Sequence, residues 1–174
     1  MRLALIGLAV AGFTGCESIQ NPFSDAPRAS ANLQPTKGNT AAGTAEFRQV
    51  GNKVRLTANL SGLTPGREHG FHVHEAGDCS SGDGMSAKGH FNPQGKPHGH
   101  PSSAERHAGD LPALRADSAG NARIETELDV ITVAPGPTSI VGRGLIVHAD
   151  PDDYKTQPTG NAGARLACAV IARR

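Results

Sequence analysis

The chain has 174 residues, with 17 Lys+Arg against 16 Asp+Glu. That length suits one domain with a real core, and the near-balanced charge argues against a bulk nucleic-acid partner. With 22 Gly, 12 Pro and only 3% aromatic residues, the chain is rich in turns, and no window carries the long apolar stripe of a helical bundle.

The N-terminus reads as a targeting segment. Arg2 supplies a positive start, and "LALIGLAVAGF" is an apolar run of 11 residues, too short to span a bilayer but suited to a signal peptide. It leads through "FTG" into Cys16, which resembles the lipobox of bacterial lipoproteins, where the cysteine is acylated and becomes the mature terminus. Phe13 stands where that motif usually has Leu. The alternative is ordinary signal cleavage nearby; either reading exports the protein. The three cysteines agree with it: in an oxidising compartment two should pair and the third needs a reason. If Cys16 is lipidated, Cys79 and Cys168 remain to form a disulfide closing a loop of about 90 residues. The chain-entropy model puts such a closure at roughly 4–5 kcal/mol.

After Cys16 the chain is polar, carries Pro22, Pro27 and Pro35, and shows no periodicity. The expected division is a signal peptide over 1–15, a lipid-anchored tether over 16–38 and a folded domain over 39–174. Within the domain, "GTAEFRQV" and "NKVRLTANL" alternate like strands around Gly51-Asn52, a hairpin signal. Val54, Leu56, Ala58 and Leu60 fall on one face, with Lys53, Arg55, Thr57 and Asn59 opposite. "SGLTPG" turns the chain into "GFHVHE". Residues 76–110 form a long Gly-, Pro-, Ser- and His-rich segment without strand pattern, the kind of loop a compact domain keeps for function. Strand-like runs return at "LPALRAD", "ARIETELDV", "GRGLIVHAD" and "RLACAVIA", the last two flanking a second Pro/Gly/Asn loop. Many short strands at turn-rich spacing predict an all-β sandwich or barrel.

Eight histidines punctuate this pattern. Residues i and i+2 of a strand point to one face, about 7 Å apart, so His72 and His74 can reach one ion, and His148 at the end of "GLIVH" offers a third ligand. His90, His98, His107 and Asp110 lie in the long segment and form a candidate three-imidazole, one-carboxylate set. Nitrogen-rich sets suit copper; three histidines with one aspartate suit tetrahedral zinc. A single histidine on an apolar strand is more often a satisfied core or surface residue, and a histidine-rich loop often binds metal adventitiously. Taken together, in an exported chain, these histidines predict a metal site.

The pieces "GFHVHE", "GHFNP", "HGHP", "RHAGDLPAL", "GRGLIVHADPDD" and "GNAGARLACAVI" occur in the order found in copper-zinc superoxide dismutases. Over roughly residues 40–174 the chain resembles that family. The resemblance implies a Greek-key, eight-stranded β-sandwich or flattened barrel with two long functional loops, holding one copper and one zinc per subunit. It implies copper ligands His72, His74, His90 and His148, with His90 as an imidazolate shared with zinc. The zinc would be completed by His98, His107 and Asp110. Cys79 and Cys168 match the disulfide that pins the loop to the sheet, and Arg165 matches the arginine that binds the anion beside the copper. Asp152 matches a carboxylate linking a copper histidine, His72, to a zinc histidine, His98; Asp150 and Asp153 are nearby competitors. His69 and His100 have no ligand role in the match. His69 is expected to be exposed, and His100 stands where the family commonly has Gly.

The implied function is dismutation of superoxide to oxygen and hydrogen peroxide, an antioxidant defence in the cell envelope, with His90 and Arg165 catalytic. In this mechanism His90 leaves the copper, takes a proton and passes it on to the reduced anion. The alternative is a non-catalytic exported copper-binding module of the same fold, which should lack part of the ligand set, the bridge or the arginine. The loop after His148 is shorter than in eukaryotic members and lacks the glutamates expected there, but keeps Lys155 and Thr159, so steering falls to Lys155 and Arg165. The expected partners are the superoxide anion, a bacterial membrane on the periplasmic side through the lipid anchor, and a second copy in a homodimer, since the family contains both monomers and dimers; no nucleic acid is expected.

Overall fold

The computed structural model describes residues 26–174; Cys16 and the residues expected to form a signal peptide lie outside the described residues. Ten strands occur among them: β1 (Arg28–Pro35), β2 (Ala42–Val50), β3 (Lys53–Ser61), β4 (Glu68–His69), β5 (Phe71–His74), β6 (Leu114–Arg115), β7 (Ala122–Leu128), β8 (Gly144–His148), β9 (Arg165–Val170) and β10 (Ala172–Arg173). Eight form one antiparallel sheet in the order β5-β8-β9-β1-β2-β3-β7, with β10 beside β1; β4 and β6 form a separate pair. The neighbours β3 and β7, β5 and β8, and β9 and β1 are distant in sequence, so the chain crosses between strands as a Greek key does. The sheet curls into a half-barrel with the small pair as its second sheet, and its concave faces share one apolar core.

The hairpin of β2 and β3 forms as its alternation predicts. Gly51 adopts φ +58 at the turn, Val50 pairs with Lys53, and Val54, Leu56, Ala58 and Leu60 are buried. Strand β1 moves the expected boundary. Residues 28–35 fall inside the segment expected as a tether over 16–38, yet they form a strand joining β2 to β9. Ala29, Ala31 and Leu33 alternate into the core; two of these three buried residues are alanines, and the period-2 signal is correspondingly faint. "LPALRAD" yields only Leu114–Arg115, consistent with Pro112, which has no N–H to donate to a ladder.

Strands β5 and β8 are buried on both faces. Phe71, Val73, Leu145 and Val147 point into the core, and the opposite face, which in an open sheet would meet water, is covered by the two long loops. Backbone bonds hold the 76–110 segment there: Val73 donates to Gly109, Phe91 to Val73, Glu75 to Gly89 and Ala76 to Ala87. A single 3-10 turn at Met85–Ala87 is its one helical piece among the described residues. The Cys79–Cys168 disulfide, 89 residues apart in sequence, ties this segment to β9.

Candidate metal centre

The two-residue alternation of β5 turns His72 and His74 to the loop-covered face, where both are fully buried. His148 reaches the same space from the end of the paired strand β8, and His90 from the long loop through its bridge to His74. The ligand atoms of His72, His74, His90 and His148 all lie within 4.8 Å of one another. A second group at the same spacing joins His90, His98, His107 and Asp110. His90 belongs to both.

In the first group each ring has one nitrogen held by protein and one turned inward. The Nδ1–H of His74 donates to the Lys88 carbonyl at 2.8 Å, and that of His148 to the Gly163 carbonyl at 3.3 Å, leaving their Nε2 atoms 3.3 Å apart. The Nε2–H of His72 donates to Asp152 Oδ2 at 2.7 Å, leaving Nδ1 buried and without a partner. His90 turns Nδ1 to Asp110 at 2.9 Å, and its Nε2 is likewise buried and unpartnered. An unmatched buried polar atom is costly, so two in one cluster are best explained by a group they would both bind. In the second set, Asp110 Oδ1 faces Nδ1 of His90, His98 and His107 at 2.9, 3.1 and 3.3 Å. Bonds of about 2.0–2.1 Å to a tetrahedral ion imply ligand–ligand edges of roughly 3.3 Å, close to these separations. The donor sets fit: four imidazoles suit copper, and three with a carboxylate suit zinc.

Asp152 joins the two sets, since its other oxygen accepts from His98 Nε2 at 2.9 Å. Gly160 makes room for this bridge at φ +65; a Cβ there would lie 1.9 Å from Asp152 Oδ1. Asp110 Oδ2 accepts backbone N–H groups from Gly99 and His107, which fixes the carboxylate.

The electrostatics separate the rings. Burial, then the charges of neighbouring imidazoles and Arg165, hold His74 far below the usual histidine range. Burial also holds His148 well down, with His72 adding to it. His90 falls to about 4, mainly through burial, which contact with Asp110 only partly offsets. These three rings are neutral at pH 7, the form that binds a metal. Burial likewise pushes His98 down, but hydrogen bonds to Asp110 and Asp152 outweigh it and raise the group to about 9. Burial pushes Asp110 and Asp152 up, but their imidazole partners prevail and hold both well below the usual carboxylate range.

Arg165, at the start of β9, is half-buried and anchored by its own donors: Nη1 to the Gly84 carbonyl and Nη2 to the Lys88 carbonyl, both at 2.6 Å. One carbonyl, that of Lys88, therefore positions both His74 and Arg165. Lys88 adopts φ 64, ψ −149, a conformation essentially confined to glycine. Nothing in the sequence pattern marks it. His69, expected to be exposed, is fully buried, and its Nδ1–H donates to the His148 carbonyl at 2.8 Å. It lies on β4, a two-residue strand too short to show a period. His100 stays outside both sets and packs edge-on against Tyr154.

The family model for copper/zinc superoxide dismutase (SODC) matches residues 41–171. Superoxide dismutase [Cu-Zn] 2 of Aquifex aeolicus (strain VF5) is 41% identical over 157 residues, covering 88% of this chain and 91% of that one. The superoxide dismutase [Cu-Zn] of Paramecium bursaria Chlorella virus 1 is 46% identical over 135 residues, covering 74% and 71%. The crystal structure of the clock protein EA4 superposes with a TM-score of 0.77 at 42% identity, covering 88% of this chain and 99% of that one.

Two predictions follow from the charges and the strain. In the metal-free protein, ring-proton NMR should show His98 titrating near 9 and His90 near 4. Because His98 is raised, the stability it contributes is complete below its unfolded value of about 6.5 and is lost as pH climbs through about 9; a neutral His98 at pH 7 would contradict this. Lys88→Gly should raise the melting temperature by roughly 2–4 °C. Relief of about 1–3 kcal/mol of strain exceeds the roughly 0.5–1 kcal/mol entropic cost of glycine, and the exposed Lys88–Glu75 pair at 3.4 Å contributes little. A lower melting temperature would mean that Lys88 is unstrained.

Proposed function

The chain belongs to the copper/zinc superoxide dismutase family, and from that premise we propose that His72, His74, His90 and His148 hold the copper and His90, His98, His107 and Asp110 the zinc. The protein is an enzyme: it dismutates superoxide to oxygen and hydrogen peroxide with copper and zinc as cofactors. The observation that carries the residue assignment is the sharing of His90 between two closed donor sets, because a purely structural site has no use for a common ligand.

Bound copper supplies a one-electron redox couple beside a redox-inert zinc charge. The chain's own residues do the rest. Arg165 offers the N–H groups not used by Gly84 and Lys88 to dock a small anion, and its charge is permanent. Reaction of two superoxide anions consumes two protons, and His90 is placed to hold one at Nε2 while Nδ1 stays turned to Asp110. Asp152 keeps His72 and His98 in fixed orientation and so ties one donor set to the other. The disulfide fastens the segment whose Gly84 and Lys88 carbonyls hold Arg165. Lys155, exposed on the second loop, adds positive charge for steering. A non-catalytic copper module would need neither Arg165 nor a shared His90, so that reading is disfavoured.

Export is supported by the disulfide, which persists in oxidising compartments. The finer reading is that residues 1–15 are removed, Cys16 is acylated, and the domain is tethered to a membrane facing the periplasm. The tether then ends before Arg28, where β1 begins.

His74→Ala should lose bound copper and lower dismutation by roughly a hundredfold or more, since loss of even an outer partner of a metal ligand costs about 10–100-fold. Metal analysis beside an activity assay reads both, and full activity would sink the copper assignment. Mass spectrometry of the mature protein should find an acylated Cys16 at its N-terminus; an unmodified terminus beyond Cys16 would refute the anchor.

A further inference from the structure

We propose that the arginine-rich end of the sheet, where the chain enters the domain, seats on the anionic phosphate headgroups of a membrane and turns the metal centre away from it. The observation is a register that folding alone does not favour. Arg28 lies directly opposite Arg48, and Arg48 directly opposite Arg55, across three adjacent strands. All three sit at outward positions, since Ala29, Phe47, Val54 and Leu56 take the inward ones. Like charges facing each other across strands destabilise a sheet. The C-terminus adds Arg173 beside Ala29 and Arg174 beside Arg28.

Ala26, Pro27, Arg28, Arg48, Arg173 and Arg174 line one hollow, in which Glu46 is the one acidic side chain among the described residues. Glu46 pairs with Arg174 at 3.0 Å, and Arg55 shares Glu127 with Lys53. Arg48 has a partner as well, and among the described residues the cationic side chains at this end still outnumber the acidic ones, although the whole chain carries only +1. A surface of anionic headgroups would convert the repulsion into attraction.

Two further facts select a membrane. Ala26 and Pro27, the first described residues, sit in the hollow itself, so the segment from Cys16 enters here. Eleven residues separate Cys16 from Arg28, twelve chain steps that span roughly 40 Å at most. At the other end of β1, Thr36 bonds the Arg165 carbonyl. The seven residue-to-residue steps of β1 from Arg28 to Pro35, about 23 Å, thus separate the arginine end from the anion-docking end. An anchor at Cys16 would limit only distance; the arginines would set orientation and leave the anion entrance open to solution.

The biological setting rests on the reading of Cys16 as the anchor, but the test does not. It uses the metal-loaded full chain carrying Cys16→Ser, which cannot be acylated, in sedimentation with vesicles. Binding should be at least about tenfold stronger to phosphatidylcholine vesicles with about 30% phosphatidylglycerol than to phosphatidylcholine alone, and should fall steeply between roughly 50 and 500 mM salt. Arg28→Glu with Arg173→Glu should remove that preference, whereas Lys37→Glu at the opposite end should leave it intact. Equal binding to both vesicles, or equal loss in the Lys37 variant, would overturn the proposal. If the arginine variant fails to fold, as its melting curve would reveal, the salt titration of the Cys16→Ser chain decides.

Discussion

Everything around the metal centre depends on one constraint: six imidazoles and two carboxylates are buried together, and each polar atom needs a partner. The chain solves half of this itself. It gives each of His72, His74, His90 and His148 a protein partner, from Asp152, Lys88, Asp110 or Gly163, and leaves the other nitrogen facing its neighbours. The remaining half calls for cations. Low pKa values at His74, His90 and His148 are another expression of the same burial, because a dry cluster of imidazoles resists protonation.

That burial depends on the loops. The outward faces of β5 and β8 would be wet without the 76–110 segment lying across them. Backbone bonds from Val73, Glu75 and Ala76 and the Cys79–Cys168 bridge hold the segment in place. The same segment delivers the carbonyls of Gly84 and Lys88 to Arg165. The strained backbone of Lys88 therefore sits where one carbonyl must satisfy both His74 and Arg165. Strain of this kind persists only where surrounding contacts over-determine it.

Charge is segregated along the molecule. Arg165 sits near one end of β1, where its charge is felt by the His74 and His148 imidazoles, while the aligned arginines gather at the other end. A nearly neutral chain can thus hold one cationic group beside the histidine cluster and a broader cationic surface elsewhere. Both rest on the same sheet, whose registers decide which side chains become neighbours.

The sequence by itself determined the alternation of β2 and β3 and the short strand runs of β5 and β8, hence that His72 and His74 share a face and that Val54, Leu56, Ala58 and Leu60 enter the core. It also carried the order of the histidine motifs, because side chains two residues apart on a strand must point the same way. It under-read β1, whose small alanines hide the alternation, and it misjudged His69 on a strand of two residues. Only the tertiary structure decided that His90 is shared, that Asp152 reaches both His72 and His98, and that Lys88 holds His74 and Arg165 together. Those contacts join residues 14 to 80 positions apart. Local pattern does not encode how a loop without periodicity folds back onto a sheet; that is settled by which buried donors find acceptors when the loop closes.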